Sequence, residues 1–414
     1  MSLRSPSASP AKPTAYAERD PAASAPARSV VPVVAVIAVL GIFVVGQLYV
    51  AIPLLPDIAR AWEVDQSTAT WATSAYAVTY AVISLISGAL ARRHGTRAVL
   101  VAGVAALAVV TACVPLAESF GTGLALRAGQ GLCAGVYVPL VYAYLNAHVP
   151  ASKLPTALTV VSACMAGTVV IGQVESQMLA SLVGWRGTFW VTAPVIAAGA
   201  FVLRRVLSPV DPARAAAGAS RSAAGPDRRL WLLLLPLLIA GFTSSSAMTS
   251  VYTSIQLYGP ASLVSDGRAL LALRATALPA LLLGVLIAPL IGRIPARPRA
   301  AGGFAVSAAG ICGAGVFSGS VEGLAVSMFV FMLGLMVIGP ALAQETGIVA
   351  GPVHGVMATA LYGFTLNIGG GVGAQVPLAF GTVLGTGLFM SSLLAACVAL
   401  LIMTGSRRRA ASRT

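Results

Sequence analysis

The chain has 414 residues, of which 57% are hydrophobic and only 9% are charged, and its formal net charge is +14. Soluble domains carry about 25% charged residues, and a soluble chain this poor in charge would expose large apolar patches to water. The composition excludes an ordinary soluble domain and indicates that lipid surrounds most of the chain. The basic residues lie in short clusters between apolar runs, where topology signals belong, so the positive charge does not predict nucleic-acid binding.

Apolar runs long enough to cross a bilayer recur along the chain, because a hydrocarbon core of about 30 Å needs about 20 apolar residues. Twelve such runs predict an all-α integral membrane protein. The runs cover residues 30–55, 67–90, 98–116, 122–145, 155–183, 189–206, 230–257, 269–291, 301–317, 324–343, 356–380 and 385–404. Residues 1–29 are rich in Ser, Ala and Pro, which predicts a disordered cytoplasmic tail and not a cleaved signal peptide.

A polar break divides the chain near its midpoint. Residues 207–229 carry Pro, Gly, Ser and Arg and predict a cytoplasmic linker between two six-helix bundles, 30–206 and 230–404, with a basic cytoplasmic tail at 405–414. Short internal matches support two related halves, since weak internal symmetry is typical of transporters. Leu90, Arg93 and Arg97 recur 200 residues later as Leu290, Arg293 and Arg297.

The distribution of Lys and Arg predicts the orientation. With both termini in the cytoplasm, 21 of the 26 basic residues lie on that side, in the tails, the linker, the loops and at the inner end of the run 189–206. The loops on the other side hold only Arg60, Arg186 and Arg268. Such an excess on the cytoplasmic side is what the positive-inside rule requires. We therefore expect a multi-pass protein of the plasma membrane with both termini inside.

The loop between the second and third predicted spans reads Gly-Ala-Leu-Ala-Arg-Arg-His-Gly-Thr-Arg from residue 88. It resembles the Gly-x-Leu-Ala-Asp-Arg-x-Gly-Arg-Arg loop of the major facilitator superfamily. Gly88 would allow close helix approach, and Gly95 would turn the loop. Arg93 and Arg97 would hold the ends of neighbouring helices. Arg92 stands where the family has an acid, so the usual acid–base latch is in doubt, and a plain cluster of topology charges is the alternative.

Two further segments resemble the same superfamily. Residues 127–131 are similar to its Arg-x-x-Gln-Gly motif, whose arginine faces the central cavity in the family and is associated with proton coupling. Residues 172–177 resemble a partial antiporter motif, with Gln173 in place of the proline and Ser176-Gln177 in place of the glycine pair. The resemblance implies two pseudo-symmetric bundles of six helices, a monomer, and closest similarity to the twelve-span drug:proton antiporters.

Ionisable side chains inside a bilayer are costly and point to function. Arg127 and Glu175 lie about 9 and 13 Å inside the predicted ends of their helices, at 1.5 Å per residue. We therefore expect them to meet, with Glu175 binding the proton and Arg127 as its partner; a static ion pair is the alternative. Amides would line the cavity or join helices: Gln130, Gln173, Gln177 and Asn367.

The function that fits these features is alternating-access export of a small, moderately hydrophobic solute, driven by a proton gradient and without a cofactor or metal. The five cysteines stand alone in apolar runs, which predicts neither a zinc site nor a catalytic thiol. An uptake carrier on the same fold remains a rival. A polytopic membrane enzyme would need clustered His, Asp or Glu, and a channel suits a two-half fold less well.

Overall fold

The computed structural model describes residues 30–150, 153–208 and 228–411, and within these ranges the regular structure is entirely helical. Ten segments in the described ranges are long and apolar enough to cross a membrane. They are Val30–Ala61, Gln66–His94, Thr96–Leu116, Phe120–His148, Gly167–Val206, Leu230–Tyr258, Gly267–Gly284, Ala296–Val316, Val321–Gly351 and Val383–Thr404. The predicted class, an all-α membrane protein, is confirmed. The tail 1–29 and most of the linker lie outside the described residues.

The first half contains seven α-helical elements and one short 3-10 turn at Val114–Leu116. In chain order they are α1 (Val30–Ala61), α2 (Gln66–Ala69), α3 (Trp71–His94), α4 (Thr96–Cys113), α5 (Phe120–Ala134), α6 (Tyr137–His148) and α7 (Leu154–Val206).

The second half contains eight helical elements among the described residues. They are α8 (Arg228–Tyr258), α9 (Ala261–Val264), α10 (Gly267–Ala275), α11 (Ala277–Ile291), α12 (Ala296–Val316), α13 (Val321–Gly373), α14 (Val376–Phe380) and α15 (Val383–Ala411).

Two elements are far longer than a bilayer is thick. Helices α7 and α13 have 53 residues each, or about 80 Å at 1.5 Å per residue. Each is interrupted at one glycine with a positive φ, Gly184 (φ 74°, ψ 171°) and Gly351 (φ 62°, ψ −175°). Only glycine adopts such angles readily, so each element is two helices joined at that residue. The segment of α13 after Gly351 is not among the ten candidate spans, and the expected number of twelve stays a prediction.

Several helices extend beyond the apolar runs that predicted them. Helix α1 continues to Ala61 through Pro53 and Pro56, because neighbouring helices and local adjustments can satisfy the backbone groups that proline frees. Helix α12 begins at Ala296, five residues before its predicted start. Helix α15 continues to Ala411, since Ala and Arg are strong helix formers, so the predicted basic tail begins as helix.

Hydrogen bonds identify two sides of the first half. Trp190 Nε1 donates to the carbonyl of Ala112 at 3.3 Å, which places the end of α4 beside the helix that follows Gly184. At the opposite ends, Arg97 Nη2 donates to the carbonyl of Arg204 at 2.5 Å. We call the side where α7 ends and α8 begins the linker side, and the other the far side.

The surface between these sides suits lipid. Large apolar side chains are exposed along the helices, and Leu182 and Leu286 are 73% and 75% exposed. Apolar side chains exposed in such number mark a membrane-facing surface. Where helices meet, small residues allow close packing. A Cβ atom on Gly172 of α7 would lie 3.0 Å from the carbonyl oxygen of Gly46 and 3.2 Å from its Cα, so α1 and α7 touch through their backbones.

Replacing Gly172 with Val will therefore destabilise the protein. The added atoms push α1 and α7 apart, and overpacking of this kind costs about 1–3 kcal/mol. We expect a lower melting temperature of the detergent-solubilised protein, measured by the loss of the monodisperse peak after heating. Gly302→Val is the matched control, because a Cβ atom at Gly302 meets nothing within 4 Å. Equal melting temperatures for the two variants would contradict the tight contact.

Candidate functional site

Arg127 on α5 is completely buried and is held by neutral partners. Its guanidinium donates to the backbone carbonyls of Ala72 at 3.1 Å and of Gln47 at 2.9 Å. A third bond, of 2.7 Å, goes to Oε1 of Gln130. The guanidinium carbon also lies 4.8 Å from the centre of the Tyr76 ring, within cation–π range. Oxygen dipoles and a ring face from three helices thus solvate a charge that would be costly to bury alone.

The bonds of Gln130 extend this arrangement to a fourth helix. Its Nε2 donates to Oγ1 of Thr111 on α4 at 2.8 Å and lies 3.4 Å from Oε1 of Gln47. We define Gln47, Tyr76, Thr111, Arg127 and Gln130 as the first-half cluster. It joins α1, α3, α4 and α5, so a change in the orientation of any of these helices changes the surroundings of the buried cation.

The expected ion pair between Arg127 and Glu175 is wrong for this structure. Within the described residues, Glu175 forms no ion pair within 4 Å, and every bond of Arg127 goes to another residue. The sequence predicted similar depths for Arg127 and Glu175, but it did not determine where each residue lies around the bundle. Helix α1 lies between the two, because Gln47 bonds Arg127 while Gly46 contacts Gly172 of α7. Glu175 is a half-buried carboxyl that has no charged partner in the part of the chain that the structure describes.

Among the described residues, the side chains of Gln173 and Asn367 bond within their own helices. Gln173 is completely buried, and its Nε2 donates to the carbonyl of Val169 at 3.1 Å, while its Oε1 has no partner in the described part of the chain. Asn367 Nδ2 donates to the carbonyl of Gly363 at 2.8 Å. Neither amide joins the first-half cluster in this structure.

Hydrogen bonds on the far side connect the two halves. Nε2 of Gln375, after α13, donates to Oγ of Ser74 at 2.8 Å and to Oγ1 of Thr70 at 3.1 Å. Ser74 Oγ in turn donates to the carbonyl of Gly371 at 2.7 Å. A Cβ atom on Gly371 would lie 2.9 Å from that of Ala77. Helices α3 and α13 therefore touch closely through small residues and hydroxyl groups.

A second contact between the halves centres on Arg274 of α10. Its Nη1 donates to Oε1 of Gln177 on α7, and its Nη2 donates to Oε1 of Gln256 on α8 at 2.5 Å. Arg274 is only 3% exposed. Counted from the first residue of the candidate span, at 1.5 Å per residue, Ser74 lies about 12 Å from Gln66 and Arg274 about 10 Å from Gly267. Two polar contacts at similar depth thus close the far side.

The loop between α3 and α4 turns at Gly95, which has a φ of 85°. Gly88 does not bring two helices together, and the prediction that it would is wrong. Gly88 is exposed, and the nearest atom to a Cβ there is Nη1 of Arg92, 4.0 Å away. Gly88 lies near the end of α3, where packing against other helices stops and residues 88–90 are all exposed.

The arginines of this loop differ in their contacts. Arg97 bonds the carbonyl of Arg204 at the end of α7, as expected of a residue that holds neighbouring helix ends. Arg93 is exposed and makes no such bond among the described residues, so the same expectation for Arg93 is wrong. Arg93 lies in the last turn of α3, where water or lipid headgroups can solvate it. Arg92 is exposed as well.

The equivalent position in the second half carries an ion pair. Nε of Arg297 lies 3.2 Å from Oε1 of Glu345, and both side chains are about 9% exposed. Nη1 of Arg297 also donates to Oγ1 of Thr404 at 3.5 Å. The two pairs are related by the repeat of 200 residues. Arg97 bonds Arg204 in the first half, and Arg297 bonds Thr404 in the second. In the second half, an acid on α13, Glu345, therefore pairs with the arginine that corresponds to Arg97.

Two glutamines at the centre of these contacts were not predicted from sequence. Gln47 is the only amide side chain in the run 30–55, and Gln256 is the only one in 230–257. A lone amide in an apolar run is the signal that would have identified both, because a polar group in hydrocarbon needs a partner. Their partners depend on helix packing and are not visible in sequence.

Comparison with known proteins agrees with this architecture. The family model described as Major Facilitator Superfamily matches residues 37–374. The chain is 30% identical over 204 residues to a chloramphenicol resistance protein of Streptomyces lividans, covering 48% of this chain and 50% of that one. It is 28% identical over 140 residues to the tetracenomycin C resistance and export protein of Streptomyces glaucescens, covering 34% and 26%. The matches thus span at most about half the length of these relatives.

A solved structure has a similar fold. It is the crystal structure of a bacterial homologue of the human lysosomal transporter Spinster, in an inward-facing and occupied conformation. The two chains superpose with a TM-score of 0.65 at 15% sequence identity, over 94% of this chain and 98% of the other. At this identity the similarity concerns the fold alone.

Replacing Arg127 with Lys will destabilise the first-half cluster. A lysine ammonium is a point charge and cannot reach two carbonyls and an amide as the planar guanidinium does. Each buried acceptor left without a partner costs about 1–3 kcal/mol, so the melting temperature of the solubilised protein will fall. Arg93→Lys is the control, since Arg93 is exposed and should tolerate the change. If Arg127→Lys melts at the same temperature as the wild type, the stability of the cluster does not depend on the planar guanidinium group and its several donors.

Proposed function

Because the chain belongs to the Major Facilitator Superfamily, we propose that it is a secondary active transporter that exports a small, moderately hydrophobic organic compound in exchange for protons. Two of the relatives described above are named for resistance to a drug, and one of these also for its export, which favours efflux. No cofactor is required in this proposal, because the proton gradient supplies the energy.

The observation that carries the proposal is the pair of polar contacts on the far side. Alternating access requires the halves to separate on one side of a central site while they close on the other. Ser74 with Gln375 and Gln177 with Arg274 join the halves through side-chain hydrogen bonds. The neutral bond between Gln375 and Ser74 contributes about 0.5–1.5 kcal/mol net, and the bond from the charged Arg274 about 1.5–3 kcal/mol. Contacts of this strength can form and break in every transport cycle.

Glu175 is the proposed proton carrier. It is the carboxyl of the segment 167–206, and it has no charged partner among the described residues. A carboxylate in a membrane is costly, whereas its protonated form is not, so proton binding there is coupled to the polarity around it. Arg127 acts from a distance in this scheme, as a fixed positive charge on the neighbouring cluster.

The remaining features of the proposal follow from sequence and family. We place the linker side in the cytoplasm, because the basic loops lie there, with both termini inside and the protein in the plasma membrane. The breaks at Gly184 and Gly351 support twelve passes, divided into bundles at 30–206 and 230–404. A monomer suffices, because both halves of the transport path belong to one chain.

Growth of expressing cells against a panel of toxic compounds tests export and identifies the solute class. Protection relative to cells with an empty vector is the expected result. Everted membrane vesicles then distinguish export from the rival, an uptake carrier. In everted vesicles an exporter accumulates the compound when the lumen is acidified, and an uptake symporter does not.

Glu175→Gln will abolish proton-driven accumulation in everted vesicles while leaving exchange of labelled for unlabelled compound in place. The substitution keeps the shape of the side chain but removes its proton. Glu118→Gln is the matched control, because Glu118 is exposed in the turn before α5. Accumulation by Glu175→Gln that still depends on the pH gradient would remove Glu175 from the coupling mechanism.

Crosslinking the far side will arrest transport. With the native cysteines replaced by alanine, the double variant Thr70→Cys and Gln375→Cys places two thiols at positions whose side chains now bond at 3.1 Å. A short bifunctional thiol reagent should stop uptake into vesicles, and a cleavable reagent should restore it on reduction. Each single variant should be unaffected. Full transport after complete crosslinking would contradict opening on this side.

A further inference from the structure

Arg274 occupies a second buried polar site, apart from the first-half cluster. Within the described residues it forms no ion pair, and its two partners are the neutral amides of Gln177 and Gln256. An arginine side chain stays protonated in proteins. The site therefore holds a permanent positive charge without a counter-charge among the described residues.

Polar atoms without partners surround this charge. Nε of Arg274 is buried and has no acceptor among the described residues. The hydroxyl of Tyr252, a residue that is 4% exposed, has no partner among them either. Tyr252 lies one helical turn before Gln256, which bonds Arg274. Buried polar groups are nearly always hydrogen-bonded, so each exception requires an explanation.

The positions along α8 bring further polar groups to the same side. Tyr252 and Gln256 are four residues apart and lie on one helix face. Thr253, which is 1% exposed, is three residues from Gln256, and its Oγ1 has no partner. One face of α8 thus presents a phenol, an alcohol and an amide, with the guanidinium of Arg274 bonded to the amide.

We propose that Arg274, with Tyr252 and Gln256, binds the anionic group of an amphipathic organic solute, a carboxylate or another singly charged oxyanion. This inference rests on the proposed transport function and names its substrate class. An anion would accept bonds from the unpartnered Nε and from the Tyr252 hydroxyl, and it would supply the missing negative charge. Charge-assisted bonds to a carboxylate are about twice as strong as those between neutral groups.

The same guanidinium closes the far side, and this links binding to conformation. Gln177 belongs to the first half, so opening the far side would remove its amide oxygen from Arg274 and leave the donor free. The solute anion then takes the place of Gln177. Binding and closure compete for one donor, and an anion shifts the protein towards the state open on the far side, because a ligand favours the state that it binds better.

Ligand-induced thermal stabilisation of the purified full-length protein in nanodiscs tests this proposal. The probes are benzoate, 2-naphthoate and 1-pyrenebutyrate, each beside the alcohol and the primary amine with the same ring system. We expect at least one carboxylate to stabilise the wild type at least tenfold more potently than its alcohol and amine counterparts. Arg274→Gln should lose this preference. Arg268→Gln, an exposed position on the same helix, should retain it.

A second variant is expected to raise the affinity for the carboxylate instead of lowering it, and it tests the proposal if Arg274→Gln fails to fold. Gln177→Met preserves the size of the side chain but removes the acceptor that competes for Arg274. We expect it to bind the preferred carboxylate several-fold more tightly than the wild type. Unchanged or weaker binding by Gln177→Met would overturn the proposal, as would a wild type that binds no carboxylate in the panel or binds the alcohols and amines equally well.

Failure of this inference is distinguishable from failure of the proposed export. Protection of cells against an anionic toxin that is unaltered in Arg274→Gln would overturn the anion site and leave export standing. Protection that is lost in Arg274→Gln for anionic toxins alone would support the site.

Discussion

The fold depends on one constraint, that lipid offers no hydrogen bonds, so each polar group inside the bundle needs a partner within the protein. Arg127 meets it with backbone carbonyls from α1 and α3, an amide from its own helix and an aromatic face. The carbonyls of Ala72 and Gln47 belong to helices, so the buried cation bonds to the scaffold itself. Arg127 therefore links α1, α3 and α5 directly and α4 through Gln130, and its charge is also a source of electric field.

The two halves meet differently from the helices within each half. Inside the first half, Gly46 and Gly172 bring backbones into contact, and small residues at such a contact allow close van der Waals packing between helices. Between the halves, hydroxyl and amide groups at Ser74, Gln375 and Gln177 form the far-side contacts. These groups can be solvated when a water-filled cleft opens. The chemistry of the interface is therefore suited to reversible closure.

Sequence reasoning predicted the helices and singled out the few ionisable residues within them, because apolar length and the cost of ionisation are local properties. It did not predict partners. Arg127 and Glu175 have matching depths, but α1 separates them, and rotation about a helix axis depends on packing. The bond between Gln177 and Arg274 spans 97 residues and both halves, and no spacing rule gives such a pair. At Gly88 the sequence predicted a helix contact that the structure does not show, since no neighbouring helix approaches this glycine among the described residues.

Arg97 and Arg297, which are 200 residues apart, bond the ends of neighbouring helices through different groups. This difference affects how each half tolerates substitution. Arg97 relies on a main-chain carbonyl, which every amino acid at position 204 provides. Arg297 relies on the carboxylate of Glu345 and the hydroxyl of Thr404, which single replacements can delete. The contact of Arg97 therefore tolerates substitution at position 204, whereas a single nucleotide change at Glu345 or Thr404 can remove a contact of Arg297 and weaken the packing of the second half.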